Sequence, residues 1–349
     1  MNNSMIRASV NAAPGYVPGE QPRDAGVIKL NTNENPYPPS PAVREALAGL
    51  SVNSLRLYPD PMCKALREAI ARLHGCAPAN VICGNGSDDL LTLCISAFVE
   101  NDGAVGFLDP SYSLYPVMAR LRGLRTVSVE LGARFESRMP PEGVPCPLFF
   151  LTNPNAPTGY LCPKDEVRAF CRRQRGVVVI DEAYVDFASG DCMELALSLD
   201  NAICLRTLSK SHSLAGLRLG YAVGPEPLVN ALFKVKESYN VDRITQALAL
   251  AAISDPASMR AGVEKVKATR ARFSRILSDM GFDVYPSESN FIWARPGARP
   301  AGEVYRELAR RRIYVRHFEG PRTGDCIRIT IGADGDMDAL AAALRDMKA

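Results

Sequence analysis

The sequence is poor in the residues and patterns that several classes of protein require. Its three histidines lie far apart, at positions 74, 212 and 317. Such scattering argues against a metal centre of clustered histidines and against a histidine-based catalytic triad. No stretch reaches the roughly 18 apolar residues that a membrane span needs, and residues 1–20 lack the apolar segment of a secretory leader. We therefore expect neither a metal site nor a membrane protein.

An excess of charge of one sign is also absent. The chain has 349 residues, and its 41 lysines and arginines nearly balance 38 aspartates and glutamates, for a formal net charge of +3. Nothing in this balance requires nucleic acid or an anionic membrane as a partner. The apolar content of 47% is ordinary for a globular protein, and no short period repeats, which excludes wholesale disorder and a coiled coil. At roughly 100–200 residues per domain, we expect two domains.

Ten cysteines are present, but none belongs to a CxxC pair. Several lie inside apolar runs, and a chain of this length has no need of disulfides to stabilise its core. The sequence thus predicts buried, reduced thiols in a cytoplasmic protein.

The middle of the chain alternates short apolar runs with segments of helical length. The predicted strands are 81–83, 104–108, 147–151, 177–180, 202–206 and 219–223, and the predicted helices are 88–99, 113–122, 164–173 and 227–238. This alternation predicts an α/β fold with a mostly parallel central sheet flanked by helices. Ligands of such sheets bind at the carboxyl ends of the strands.

The two ends of the chain have a different pattern. Residues 1–45 are rich in proline and asparagine, which predicts an extended arm. Helical stretches follow residue 242, with short strands near 290–294 and 327–331 and a last helix over 337–347. We therefore predict a large domain over 46–242 and a smaller α+β domain over 243–349 that the arm joins.

Four segments that follow predicted strands carry the candidate chemistry. GNGSDD at 84–89 opens a helix, so its free backbone amides could bind an anion, although an ordinary glycine turn with a helix cap has the same pattern. NPNAPTG at 153–159 is by itself a turn.

DEAYVDF at 181–187 places a carboxylate after an apolar strand, either as a partly desolvated partner of a cation or as a helix cap. TLSKSHSLAGLRLGY at 207–221 contains Lys210 and Arg218 near glycines, and most such lysines are only solvated charges.

The order and spacing of these segments are more specific than any one of them. Asp181 lies 29 residues before Lys210, and Arg218 lies eight residues after it. This arrangement resembles the fold-type I pyridoxal-phosphate enzymes and, within them, the histidinol-phosphate aminotransferase family. The resemblance covers nearly the whole chain, and its further motifs are PGYVPGE at 14–20, LNTNENPYPPSP at 30–41, RLYPDP at 56–61, SYNV at 238–241 and IRITIG at 327–332.

The resemblance implies pyridoxal 5'-phosphate as cofactor and a role for each matching residue. Lys210 would hold the cofactor as a Schiff base and, once released, carry the proton that leaves the substrate's Cα. Asp181 would pair with the pyridine nitrogen, Tyr184 would bond the phenolic oxygen, and Tyr112 would stack on the ring. The residues implied to bind the cofactor's phosphate are Ser87, Asp88, Ser209 and Arg218.

One position departs from the family pattern. The family has asparagine immediately before PTG, where this chain has Ala156, and Asn155 lies one residue earlier. The resemblance therefore implies that Asn155 replaces the missing contact from a shifted loop, or that Tyr184 carries this contact alone.

Substrate recognition is implied to rest mainly on arginines. Arg328 would bind the substrate's carboxylate or phosphate, and a guanidinium fork suits either group. Arg316 would add charge toward the phosphate, although a solvated charge at a strand end is an equal alternative. Tyr16 and Asn33 would come from the arm, and Tyr58 would reach in from the neighbouring subunit of a homodimer.

The resemblance implies an aminotransferase that exchanges an amino group between glutamate and imidazole acetol phosphate. This reaction, a step of histidine biosynthesis, would give histidinol phosphate and 2-oxoglutarate. A phosphothreonine decarboxylase-like lyase and an aromatic or other amino-acid aminotransferase remain alternatives, because the scaffold supports all three. A ligand sensor of a transcription regulator is a further alternative, but the chain has no segment left for a DNA-binding domain.

Overall fold

The structure, a computed structural model, describes residues 5–16, 19–22 and 26–347, so residues 17 and 18 of the predicted motif at 14–20 lie outside it. The strands of the described chain are β1 Ile28–Lys29, β2 Val81–Asn85, β3 Ala104–Asp109, β4 Arg125–Glu130, β5 Leu148–Thr152, β6 Val177–Asp181, β7 Ala202–Thr207, β8 Leu219–Val223, β9 Asp283–Val284, β10 Phe291–Arg295, β11 Ile313–Tyr314, β12 Arg316–His317 and β13 Ile327–Thr330. Its helices are α1 Ala8–Ala12, α2 Pro41–Ala48, α3 Lys64–His74, α4 Ser87–Phe98, α5 Leu114–Leu121, α6 Lys164–Arg173, α7 Met193–Ser198, α8 Glu226–Val235, α9 Arg243–Ile253, α10 Pro256–Asp279, α11 Ala301–Arg310 and α12 Asp334–Asp346.

The central sheet has seven strands in the order β2-β8-β7-β6-β5-β3-β4. Strands β3 to β7 pair in parallel, whereas β8 is antiparallel to both of its neighbours. The central strands β5 and β7 are buried at every residue, which explains their unbroken apolar runs. The predicted α/β fold with a mostly parallel sheet is therefore confirmed.

The sequence pattern did not predict the edge strand β4. Its segment RTVSVE alternates between exposed and half-buried residues and lies at the end of the sheet beside β3. An edge strand with one solvated face contains too few apolar residues to form a continuous run.

The four predicted helices of the α/β part were located to within three residues at each end, whereas α2, α3 and α7 were not predicted. The arm that was expected to be extended contains the short helix α1. The last helix begins at Asp334, three residues before the predicted start.

A smaller antiparallel sheet, in the order β12-β13-β10-β9, lies in the C-terminal part. A separate core forms between this sheet and helices α10 to α12, and Leu30 of the N-terminal arm is part of it. Strand β1 of the arm also pairs in parallel with β11. The arm thus packs on the C-terminal part of the chain.

Helix α9 lies after residue 242 but packs against α2 and α3, and its buried residues belong to the core of the larger sheet. The change from one core to the other therefore comes near the start of α10, one helix later than the predicted boundary. The limits of the domains stay predictions.

Two further expectations concern membranes and cysteines. In residues 5–16, 19–22 and 26–347, no helix combines the length and the apolarity needed to span a bilayer. The ten cysteines are all unpaired, and all except the half-buried Cys76 are buried.

Candidate active site

A cavity of about 270 Å³ opens at the carboxyl ends of the parallel strands, just below the usual range of about 300–1,000 Å³ for ligand pockets. Strands β5, β6 and β7 end at its wall, and the arm and the smaller sheet close the opposite side. It is lined by every predicted site residue except two, Asn155 and Tyr58: Tyr16, Asn33, Ser87, Asp88, Tyr112, Asp181, Tyr184, Ser209, Lys210, Arg218, Arg316 and Arg328. The fold therefore brings together side chains that are as much as 312 positions apart in the sequence, from Tyr16 to Arg328.

Asp181 ends strand β6 at the base of the cavity and is only 3% exposed. The Tyr115 hydroxyl donates to its Oδ2 at 2.7 Å, and the Ala183 N–H donates to its Oδ1 at 3.2 Å. Burial raises the pKa of Asp181 to about 6, although both hydrogen bonds act in the opposite direction. The protein thus orients this carboxylate, and a positively charged partner would stabilise its ionised form.

The next residue, Glu182, directly follows β6, and its N–H still bonds the Leu205 carbonyl of β7 at 2.8 Å, so its side chain continues the alternation of the strand. Its carboxylate is fully buried and pairs with Arg206 at 2.8 Å, and Arg206 also contacts Asp191 at 2.9 Å. This buried ion pair is separate from the cavity lining. Of the two consecutive carboxylates, Asp181 alone faces the cavity.

Lys210 is half-buried and projects into the cavity from the loop after β7. Its Nζ donates to the Thr32 carbonyl at 3.1 Å, and the Asn35 amide donates to the Lys210 carbonyl at 3.0 Å. Removal from water lowers the pKa of Lys210 to about 8, and the positive charge of Arg328 acts in the same direction. A sizeable fraction of the amine is therefore neutral and nucleophilic near neutral pH.

An anion cradle lies at the start of α4. Gly86 has φ +82°, and a Cβ there would lie 2.5 Å from Nη2 of Arg218. A Cβ on Gly220 would lie 2.6 Å from the Ser87 nitrogen, so this close approach also needs glycine. Nη2 of Arg218 lies 3.5 Å from Asp88. The helix N-terminus and the guanidinium together form a site suited to phosphate.

Two tyrosines flank the space between the cradle and Lys210. The Tyr184 hydroxyl accepts a hydrogen bond from the Asn33 amide at 2.9 Å, and its burial raises its pKa. Tyr112 donates to Asp88 at 3.2 Å and meets Tyr115 edge to face at 5.4 Å. Both rings line the cavity.

Asn155 and Tyr58 lie elsewhere. The buried Asn155 amide nitrogen donates to the Pro110 carbonyl at 3.0 Å and to the Thr158 hydroxyl at 2.9 Å, which uses both of its hydrogens. Its Oδ1 is buried without a partner among the described residues. The structure therefore gives Asn155 no free donor for the cavity, and its proposed contact with a cofactor stays a prediction without geometric support.

Tyr58 is 77% exposed and stacks on Tyr239, with the ring centroids 4.3 Å apart. Within one chain it does not reach the cavity. Its predicted role therefore depends on a second subunit.

Two arginines occupy the end of the cavity nearest the smaller sheet. Arg316 on β12 lies directly opposite Arg328 on β13 in the register of that sheet. The ring of Phe318 lies 5.1 Å from the Arg316 guanidinium carbon and 5.3 Å from that of Arg328, which places both cations on an aromatic surface. Arg328 donates to the Asn31 carbonyl at 2.9 Å, while its buried Nε has no partner among the described residues. An anion would satisfy this donor and offset the repulsion between the two cations.

Sequence reasoning missed Tyr115, Thr152 and Phe318, all of which contact predicted site residues. Tyr115 follows Tyr112 by three residues, a spacing that places two side chains on one side of a helical turn. Thr152 ends β5 directly beside the end of β6. The strand end could have indicated Thr152, and the spacing could have placed Tyr115 beside Tyr112 but not its contact with Asp181. Phe318 had no signal of its own.

Comparison with known proteins agrees with this geometry. The model of the family aminotransferase class I and II matches residues 25–346. A histidinol-phosphate aminotransferase of Citrifermentans bemidjiense is 43% identical over 343 residues, which cover 98% of each chain. The chain belongs to the histidinol-phosphate aminotransferase family, within aminotransferase class I and II. The predicted family and the predicted class of enzyme are thereby confirmed.

Solved structures of similar proteins have the same architecture. The histidinol-phosphate aminotransferase of Sinorhizobium meliloti, solved in complex with pyridoxal-5'-phosphate, matches with a TM-score of 0.84 and 29% identity over 92% of this chain and 91% of that one. The L-threonine-O-3-phosphate decarboxylase of Porphyromonas gingivalis matches with a TM-score of 0.80 over 92% and 99% of the two chains, but at 19% identity this shows the fold alone.

The residues of this family member fit pyridoxal phosphate. Glycine at positions 86 and 220 lets the Arg218 guanidinium and the Ser87 amide lie close together at the start of α4, where both can donate to a phosphate. The buried carboxylate of Asp181 suits a protonated pyridine nitrogen, and the half-buried amine of Lys210 suits an aldehyde carbon. The residues present thus suit the phosphate, the pyridine nitrogen and the aldehyde of the cofactor.

Proposed function

We propose that this chain is a pyridoxal-phosphate-dependent aminotransferase of histidine biosynthesis. It exchanges an amino group between glutamate and imidazole acetol phosphate, giving histidinol phosphate and 2-oxoglutarate. The observation that carries this proposal is the pairing, in one cavity, of Lys210 and Asp181 with two arginines on adjacent strands. The 43% identity to histidinol-phosphate aminotransferases over nearly the full length supports the choice of substrates.

The chain's own residues have distinct tasks in this reaction. When bound, the cofactor supplies a ring that accepts the electron pair left at Cα when the Cα proton leaves. Asp181 would accept the hydrogen bond of the pyridine N–H and keep that nitrogen protonated. Lys210 would take the Cα proton on Nζ and pass it to the former aldehyde carbon, which its pKa of about 8 permits near neutral pH. The Tyr184 hydroxyl would donate to the phenolic oxygen, and Tyr112 would cover the ring.

The substrate pair requires one pocket to accept different anions. Glutamate offers carboxylates, whereas imidazole acetol phosphate offers a phosphate. Guanidinium groups bind both through paired hydrogen bonds, so Arg328 and Arg316 can serve both half-reactions. Tyr16 and Asn33 line the same cavity from the arm.

A homodimer completes this proposal. Tyr58 and Tyr239 form an exposed aromatic pair, and Val52, Leu55 and Leu57 are exposed beside Tyr58 in the sequence. A second copy would cover this apolar surface and receive the Tyr58 hydroxyl in its own cavity. The unpaired, mostly buried cysteines agree with a cytoplasmic location.

A single half-reaction tests the function. The purified holoenzyme is mixed with histidinol phosphate, without a keto acid, and the cofactor's absorbance is followed. We expect a rapid change from the aldehyde form to the amino form of the cofactor, reversed by 2-oxoglutarate. Phosphothreonine and phenylalanine are tested in parallel.

The other possible outcomes identify the alternatives. Release of carbon dioxide from phosphothreonine, with no response to histidinol phosphate, would make the chain a lyase. A faster change with phenylalanine than with histidinol phosphate would make it an aromatic aminotransferase.

A further inference from the structure

Tyr115 is a completely buried tyrosine whose hydroxyl lies between two polar groups of the central sheet. The hydroxyl is 2.7 Å from Oδ2 of Asp181 and 2.7 Å from the Thr152 hydroxyl. Its ring stacks on Phe150, with centroids 4.8 Å apart and planes 19° apart. Packing thus fixes the ring, and with it the position of the hydroxyl.

The register of the sheet explains this placement. Phe150 and Thr152 are two residues apart on β5 and so face the same side of the sheet. Thr152 is the register partner of Asp181 on the adjacent strand β6. A tyrosine ring that lies on Phe150 therefore extends its hydroxyl to the point where both strands end.

The direction of each hydrogen bond follows from the number of hydrogens. A tyrosine hydroxyl has one hydrogen, and an ionised carboxylate can only accept. Tyr115 therefore donates to Asp181, and its oxygen accepts the hydrogen of Thr152. The result is a directed chain from Thr152 through Tyr115 to the carboxylate.

We propose that Tyr115 is a positioning residue that holds Asp181 ionised and aimed at the cofactor's pyridine nitrogen, and that Thr152 orients the Tyr115 hydroxyl. The proposal rests on the proposed function, since it assumes pyridoxal phosphate in the cavity. The bond from Tyr115 occupies Oδ2 on one side, and the remaining acceptor capacity of the carboxylate is left for the pyridine N–H. Free rotation of the carboxylate would otherwise reduce the alignment that this contact needs.

Burial and a nearby carboxylate raise the pKa of Asp181, and the hydrogen bond from Tyr115 acts against them. Asp88 on α4 opposes the ionised form by charge repulsion, as burial does. Tyr112 and Tyr184 also interact with Asp181, and each is held neutral by burial. The hydrogen bonds from Tyr115 and the Ala183 N–H act against this combined effect by lowering the pKa of Asp181.

The substitution Tyr115→Phe tests the proposal, because it removes the hydroxyl and keeps the ring on Phe150. The cofactor is removed from the holoenzyme and titrated back at a series of pH values while absorbance is followed. We expect pyridoxal phosphate to bind about tenfold more weakly at pH 7, and the pH below which binding declines to move up by about one unit. Loss of a donor to a charged group has this order of effect.

Tyr221→Phe is the matched control. Tyr221 on β8 is also a buried tyrosine, and its hydroxyl bonds His74 at 3.0 Å instead of Asp181. We expect it to leave the pH dependence of cofactor binding unchanged. Equal shifts in both variants would mean that any lost buried hydroxyl has this effect, and would overturn the proposal.

A second pair of variants decides the matter if Tyr115→Phe does not fold. Thr152→Val removes the donor to Tyr115 at constant shape, and Thr152→Ser restores it. We expect Val to shift the pH dependence in the same direction by a smaller amount, and Ser to reverse the shift. Wild-type pH dependence in Thr152→Val, or in a folded Tyr115→Phe, would overturn the proposal. These titrations contain no substrate, so their outcome is independent of the half-reaction that tests the function.

Discussion

The two ends of the cavity are built in different ways. The cofactor end is defined by Ser87, Asp181, Lys210 and Arg218, which lie at or near strand ends of one sheet. Ser87 begins α4 soon after β2, Asp181 ends β6, and the other two lie between β7 and β8. The arginine end, defined by Arg316, Phe318 and Arg328, comes from the smaller sheet and is closed by the arm. The first end is thus local to one sheet, whereas the second depends on contacts between parts of the chain nearly 300 residues apart, such as Asn31 with Arg328.

This difference indicates which part of the cavity determines cofactor binding and which part determines substrate binding. A strand end and its loop fix a side chain through local backbone geometry, which suits the one cofactor that every turnover shares. Contacts between the arm and the smaller sheet can change without disturbing the central sheet, which suits the substrates that distinguish one family member from another. Variants at the cofactor end should therefore change the cofactor's absorbance as well as both half-reactions, whereas variants at the arginine end should change the KM of substrates and leave that absorbance unchanged.

The largest effect is expected for Lys210→Ala at the cofactor end. It removes the only group we place at Cα, so we expect both half-reactions to slow by on the order of 10⁴-fold. The absorbance of the covalently attached cofactor should also disappear. Stopped-flow spectra with glutamate and with histidinol phosphate measure both effects.

Lys267→Ala provides the control for charge removal. This lysine lies on α10 and pairs with Glu264 at 3.0 Å, remote from the cavity lining. It should behave as the wild type. Full activity of Lys210→Ala would contradict the catalytic role of this residue.

An intermediate effect is expected for Arg328→Ala. Loss of a charge-assisted, paired contact weakens anion binding by about 100-fold, so KM should rise for glutamate and for histidinol phosphate. The cofactor spectrum should remain unchanged, because the cofactor end does not depend on this side chain. Arg310→Ala, at an exposed pair with Glu307, is the control. A lost cofactor spectrum would contradict the separation of the two ends.

The smallest effect is expected for Tyr58→Phe, which removes one hydroxyl at the proposed subunit boundary. We expect KM for histidinol phosphate to rise about threefold to tenfold, as for one hydrogen bond, and KM for glutamate to stay the same. Steady-state kinetics with each substrate measures the ratio. Equal changes in KM for the two substrates would show that Tyr58 does not contact the substrate's phosphate.

The position of the residues at the cofactor end was predictable from the sequence, because each motif lies next to a predicted strand. An apolar strand followed by Asp181 or by Lys210 fixes both the edge of the sheet and the position of the side chain there. The anion cradle was likewise signalled by glycines that precede a helix. The same strand pattern predicted the order of α and β elements in the larger part of the chain.

The features of the site that the sequence did not predict depend on tertiary contacts. Tyr115 reaches Asp181 only because its ring lies on Phe150, and no local pattern encodes that stacking. The chain reversal that places Phe318 against both arginines is set by the pairing of β12 with β13. The family resemblance led us to expect Asn155 at the cavity, yet its amide donates to Thr158 in its own loop and to Pro110 in the loop after β3.

The consecutive carboxylates at the end of β6 limit how this protein can change in evolution. Asp181 faces the cavity, and Glu182 faces the buried Arg206 on the other side of the sheet. Deletion of one residue in β6 would turn Glu182 toward the cavity and leave Arg206 unpaired in the core, and insertion of one residue would turn Asp181 away from the cavity. Length variation among relatives should therefore fall in the loops around this strand, and the strand itself should tolerate substitution only.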